Sequence, residues 1–131
     1  MKKDNNGFIT ELNSNEIIVV GTNKNGLHYG GAAKQAYDNF GLQWLVDEGI
    51  SGQTYAFPTL DENMSKLNRS ALERRIALLK KCCEKNQDKA FYLTRVGCGI
   101  AGFTDDYMIS IFKRFDLPSN LVMPLEWTIQ I

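Results

Sequence analysis

The chain has 131 residues, 44% hydrophobic and 23% charged, with 15 basic side chains against 15 acidic ones and a formal net charge of zero. This is the composition of one globular domain with a modest core, and the charge balance argues against a general nucleic-acid or membrane-surface binder, which needs a basic excess. No apolar run approaches the ~20 residues of a membrane span, and the polar opening Met1-Lys2-Lys3-Asp4 is expected to carry no signal peptide.

Residues 1–7 are expected to form a flexible tail ahead of a single domain over 8–131. Phe8 to Leu12 reads as a short strand and Asn13-Ser14-Asn15 as a turn. Glu16-Ile17-Ile18-Val19-Val20 is an apolar, β-branched run expected to be a central strand. A polar, glycine-rich loop from Gly21 to Gly31 then feeds a helix over Ala32–Phe40, with Ala33, Ala36, Tyr37 and Phe40 on one face and Gly41 as its stop. Gln43 to Val46 is expected to be extended, Gly49 to Gly52 to turn, and Thr54 to Thr59 to form a strand ended by Pro58.

The longest helix follows, capped by Asn68 or by Ser70 with Glu73 as a capping box. Its buried stripe is Leu72, Ile76, Leu79 and Cys83, and Arg74, Arg75, Lys80, Lys81 and Lys85 form a solvated face. Ala90-Phe91-Tyr92-Leu93-Thr94 is the next buried strand. It enters a second glycine-rich loop, Gly97 to Phe103, and a helix over 105–115 with Thr104 as N-cap and Met108, Ile109, Phe112 and Phe115 facing inward. Pro118 ends it, Asn120 to Met123 is a last strand, and Pro124 to Trp127 closes over the core. Cys82, Cys83 and Cys98 are odd in number and two are adjacent, so no disulfide framework follows and a cytoplasmic location is expected. With one histidine, no metal set is legible.

The alternation of strands and helices predicts an α/β fold, a three-layer α/β/α sandwich on a mostly parallel central sheet. Both glycine-rich loops fall at carboxyl ends of strands, where open α/β sheets bind ligands, so they are expected to face one crevice. Missing Cβ atoms there let a ligand reach main-chain N–H groups, which favour anions.

Two motifs resemble the macro domain, a module that binds ADP-ribose and related nucleotides. One is Val19-Val20-Gly21-Thr22-Asn23 followed by Gly30-Gly31-Ala32-Ala33 at a helix start; the other is Val96-Gly97-Cys98-Gly99-Ile100-Ala101-Gly102-Phe103. The chain from Val19 to Trp127 is similar to small macro-like proteins of bacteria and phages, sharing Gly21-Thr22-Asn23, His28, Gly31-Ala32-Ala33, Tyr55-Ala56-Phe57-Pro58-Thr59, Thr94-Arg95-Val96-Gly97-Cys98-Gly99, Ala101-Gly102-Phe103 and Pro124 with Trp127. The resemblance implies a diphosphate wrapped by Gly97, Cys98, Gly99, Ile100, Ala101 and Gly102. It also implies that Asn23 meets the distal ribose, with Gly21, Thr22, His28, Gly30 and Gly31 as further ligand-binding residues. The acidic residue with which the family meets the adenine amino group has only Glu11 and Glu16 as neighbours in sequence, and neither position matches.

Each candidate also has a purely structural reading. A glycine also serves a tight turn alone, and Asn23, which can both donate to and accept from ribose hydroxyls, is also a common turn residue. His28 is a candidate acid or base, Asp105 a weaker candidate for orienting a water, and Cys98 a less favoured nucleophile in an electropositive loop. Arg95 is expected to meet a phosphate or an acid such as Asp47 or Glu48. Phe103 is the best stacking candidate, ahead of Tyr55 and Trp127. The function expected from the resemblance is binding of an ADP-ribose-type nucleotide between the two loops, with no further cofactor. The alternatives are an ADP-ribosyl hydrolase and a phage or bacterial protein that sequesters an NAD-derived nucleotide.

Overall fold

The computed structural model describes residues 1–5 and 8–128. Its main sheet has five strands in the order β4-β5-β3-β6-β7. These are β3 (Glu16–Asn23), β4 (Gly49–Ser51), β5 (Thr54–Leu60), β6 (Ala90–Leu93) and β7 (Leu121–Val122). β3 runs parallel to both β5 and β6, and β6 parallel to β7; only β4 is antiparallel. Among the described residues there are four helices: α1 (Gly31–Asn39), α2 (Arg69–Lys85), α3 (Asp105–Phe112) and α4 (Leu125–Thr128). No helix among them is long and apolar enough to cross a membrane.

β3 explains its own sequence. Ile17 and Val19 pack with Leu72, Ile76 and Leu79 of α2 and with Met108 and Phe112 of α3. Ile18 and Val20, on the opposite side of the pleat, pack with Ala33 and Ala36 of α1 and with Phe40. A strand covered on both faces needs apolar side chains at every position, which is why this stretch does not alternate. Burying a side chain of this size contributes roughly 1.5–3 kcal/mol. Trp127, fully buried in α4, packs its ring 5.6 Å from that of Phe112 and closes the larger cluster.

Several local expectations change. Residues 1–7 are not simply a tail: β1 (Lys2–Lys3) pairs antiparallel with β2 (Ile9–Glu11), while Asn6 and Gly7 lie outside the described residues. Gly49–Ser51, expected as a turn, is the outer strand of a hairpin with β5; the turn itself is Gly52-Gln53. Residues 43–46 are not extended, because Trp44 and Leu45 form a turn with Leu45 at φ 70°. Asn68, not Ser70, caps α2, its side chain accepting from Ala71 N–H at 2.9 Å. Ser70 is thus helical, and Glu73 pairs with Arg69 at 3.9 Å instead of closing a capping box. Arg75 leaves the solvated face to pair with Glu48 at 2.8 Å, tying α2 to the segment before β4.

Candidate functional site

β3 and β6 are parallel neighbours, so their carboxyl ends share one edge of the sheet. The exit of β6 is bonded to β3: Thr94 donates to the Val19 carbonyl from its N–H at 3.1 Å and from its hydroxyl at 2.7 Å. The two glycine-rich loops therefore meet. A Cβ on Gly21 would stand 3.5 Å from Gly97 N, and one on Gly30 would stand 3.4 Å from Ile100 Cδ1. Between them opens a cleft of about 490 Å³. Gly21, Thr22, Asn23, Gly30 and Gly31 line it from one side, and Gly97, Cys98, Gly99, Ile100 and Ala101 from the other.

The second loop turns through three main-chain hydrogen bonds. Cys98 N–H donates to Arg95 O (3.1 Å), Gly102 N–H to Gly99 O (3.0 Å) and Phe103 N–H to Gly97 O (2.8 Å). The N–H groups of Gly97, Gly99, Ile100 and Ala101 donate to no acceptor among the described residues. Gly97 and Ala101 are buried and Gly99 and Ile100 exposed, so this cleft-lining turn leaves four N–H groups open, two of them where solvent reaches. Across the cleft, α1 begins at Gly30 with no side-chain cap and no acidic residue in its first turn. Its N-terminal N–H groups and the positive end of its dipole therefore add to the same potential.

The three glycines of the second loop differ. Gly97 sits at φ +81°, and a Cβ there would lie 2.8 Å from the Phe103 ring, so the fold itself requires it. Gly102 sits at φ +78° and lies outside the cleft. Gly99 has no positive φ, and a Cβ there would meet nothing within 4 Å. Nothing in the protein's own packing explains a glycine at position 99.

Other sequence candidates move. His28 is buried and away from the cleft, its ring stacked on Trp44 at 5.4 Å. Its Nε2 lies 2.8 Å from the Gln43 carbonyl, which can only accept, so that nitrogen carries the proton. Nδ1 is buried without a partner among the described residues. His28 thus buttresses Trp44 and does not reach the cleft as an acid or base. Asn23 lines the cleft, but its side chain is engaged locally: Nδ2 donates to Leu27 O at 2.8 Å, while Oδ1 accepts from Asn25 N–H (3.1 Å) and Leu27 N–H (3.3 Å). It is first of all the staple of its own loop. Thr22 donates its hydroxyl to Asp47 O.

Asp105 does not line the cleft. It accepts from Arg95 Nε (2.8 Å) and Nη2 (2.6 Å) and from Trp127 Nε1 (2.7 Å). These bonds, the Arg95 pair foremost, hold its carboxyl well below the usual carboxylate range. It is a structural node, and Arg95 meets Asp105 instead of Asp47 or Glu48. Burial, with the Asp105 carboxylate adding to it, pushes the Cys98 thiol up to about 12, opposite to the lowering expected of an electropositive loop. Phe103 is not a cleft residue: its ring stacks on Tyr107 at 5.5 Å and lies under the Lys66 ammonium at 5.3 Å. Tyr55 and Trp127 are core. Among the described residues, no group of three His, Cys, Asp or Glu side chains comes together to hold a metal ion.

Sequence reasoning missed Tyr29, which lines the cleft with its ring exposed, and missed Phe8 and Leu125, which also line it and are exposed. Tyr29 stands directly before Gly30-Gly31, an adjacency that was a usable signal. Phe8 and Leu125 come from opposite ends of the chain and carried none. No protein-family model matches the chain, and neither does any curated protein or solved structure.

Proposed function

We propose that this chain is a macro-domain-like three-layer α/β/α sandwich that binds an ADP-ribose-type nucleotide, with the diphosphate on residues 97–101. The observation that carries this reading is the set of unpaired N–H groups on Gly97, Gly99, Ile100 and Ala101, facing the uncapped start of α1 across one cleft. Such a site suits a diphosphate because it binds anions with fixed dipoles and needs no lysine or arginine, in keeping with a net charge of zero. A cleft of about 490 Å³ lies within the range of small-molecule sites, ~300–1,000 Å³. The distal ribose would lie toward Gly30 and Gly31, and the base toward the exposed apolar side chains of Phe8 and Leu125.

A sequestering role for an NAD-derived nucleotide would use the same cleft. The hydrolase reading has less support, since His28, Asp105 and Cys98 are each committed to the protein's own structure. The test is calorimetric titration of wild type and Gly99→Val against ADP-ribose, ADP and ribose-5-phosphate. The valine adds no backbone strain and no internal clash, so its melting temperature should match wild type. Its branched side chain would stand in the middle of the open N–H run, so ADP-ribose affinity should fall at least 100-fold. Retained affinity in the folded variant, or no binding of any of the three ligands by wild type, overturns the proposal.

A further inference from the structure

Beside the cleft lies a cluster of four aromatic rings that the core does not account for. Trp44 is at its centre, with ring centroids 5.2 Å from Tyr29, 5.2 Å from Tyr37 and 5.4 Å from His28. His28 is buried beneath it, but Tyr29 is 76% exposed, Tyr37 40% and Trp44 38%. The indole is fixed from below, because the imidazole stacks on it at 19° and is itself held by the Gln43 carbonyl. The turn that presents it is tightly built: Leu45 follows at φ 70° with its side chain 74% exposed. Leu45 N–H donates to Gly26 O at 2.8 Å, packed so closely that no Cβ fits on Gly26. Non-glycine residues at positive φ persist only where surrounding structure enforces them, and they concentrate at functional sites.

Tyr29 belongs to both regions: it is part of the aromatic cluster and it lines the cleft beside Gly30. We propose that Tyr29, backed by Trp44, is an aromatic subsite that extends the cleft and stacks a second planar ring carried by the ligand. The ligand class is then a dinucleotide with a ring on its distal ribose. The inference rests on the nucleotide reading of the cleft, which puts that ribose toward Gly30. A ring is favoured over a protein surface by size. An aromatic side chain offers ~150–250 Å², so three partly exposed ones present well under the ~800 Å² per partner of a stable interface. The exposed aromatics carry no charge, and stacking on a face of this kind needs none.

The experiment titrates NAD⁺ and ADP-ribose into wild type, Tyr29→Ala, Tyr29→Phe and Trp44→Ala, with sedimentation of the unliganded proteins. Base–aromatic stacking corresponds to a gain of roughly 5- to 100-fold in affinity. NAD⁺ should therefore bind wild type at least fivefold more tightly than ADP-ribose. That ratio should fall to about one in Tyr29→Ala, hold in Tyr29→Phe, and shrink in Trp44→Ala, whose effect is through positioning. A merely structural Tyr29 would weaken both ligands alike and leave the ratio unmoved, which overturns the subsite. Equal affinity of wild type for the two ligands also overturns it while leaving the nucleotide reading intact; binding of neither removes both. A concentration-dependent dimer that Tyr29→Ala dissolves would assign the rings to self-association and overturn the proposal as well.

Discussion

The two glycine-rich loops look alike in sequence and differ in what holds them and in why their glycines are there. In the first, the stretch from Lys24 to Leu27 is satisfied from within: Lys24 N–H donates to Leu60 O, Gly26 N–H to Asn23 O, and Asn25 and Leu27 N–H to the Asn23 side chain, whereas the N–H groups of His28, Tyr29, Gly30 and Gly31 donate to no acceptor among the described residues. Gly26 is there because Leu45 packs on it, with a Cβ falling 2.4 Å from Leu45 Cα. In the second loop, four N–H groups are left without acceptors, and Gly99 has neither a positive φ nor a neighbour to explain it. The first loop is stapled by Asn23 and opens only where it enters α1, whereas the second is open through its middle, at Gly99, Ile100 and Ala101. A glycine count does not separate the two, whereas the position of the open N–H groups and the neighbours of each glycine do.

The contrast breaks most visibly at Gly26. Gly26→Ala adds a left-handed penalty of ~1–2 kcal/mol to an overpacking cost of ~1–3 kcal/mol. It should lower the unfolding free energy in urea by roughly 2–5 kcal/mol, whereas Gly99→Val should stay within ~0.5 kcal/mol of wild type. Equal losses at the two positions would erase the distinction between the loops.

Next comes the brace behind the second loop. Asp105→Asn removes the bidentate Arg95 pair; since Arg95 is half exposed, the expected loss is at the lower end for charged hydrogen bonds, about 1–2 kcal/mol at neutral pH. The pH dependence has a definite sign. The Asp105 carboxyl, near 3.8 in the unfolded chain, is held lower in the fold. Its contribution is complete above that value and is lost as the pH falls below it. The stability gap between wild type and Asp105→Asn should therefore narrow from roughly pH 4 downward, read by urea titrations at pH 7 and pH 3. A gap that is constant with pH would mean the ionised pair contributes nothing.

The smallest effect is at Thr104, whose hydroxyl caps α3 by accepting from Tyr107 N–H at 3.1 Å. Thr104→Ala should cost about 1 kcal/mol in thermal or urea unfolding. It should leave ADP-ribose affinity unchanged if the cradle ends at Ala101; a parallel loss of affinity would extend the anion site into the helix start.

Much of the architecture was legible because it follows from local periodicity. The uninterrupted apolar run at 16–20 marks a strand covered on both faces, the stripe Leu72, Ile76, Leu79 and Cys83 marks the inner side of α2, and Thr104 marks the start of α3. The juxtaposition of the two loops also followed from parallel topology. What failed were the roles of single polar and aromatic side chains. His28, Asp105, Cys98 and Phe103 are the residue types that chemistry uses, and each is held by a neighbour distant in sequence or in its environment: the Gln43 carbonyl, Arg95 with Trp127, burial beside Asp105, and the stack on Tyr107 under Lys66.

The sequence by itself determined the parallel strands β3, β5, β6 and β7, the helices α1, α2 and α3, and at which edge of the sheet the glycines fall, because hydrophobic period, capping residues and crossover direction are properties of contiguous residues. Only the tertiary structure decided which glycine the fold requires and which N–H groups are left open. It also decided that the exposed aromatic beside the cleft is Tyr29, whereas Phe103 is packed behind the loop. Those outcomes depend on atoms brought together from remote positions, such as Leu45 over Gly26 or Trp127 on Asp105, and hydrogen-bond satisfaction and burial exist only once those atoms have met.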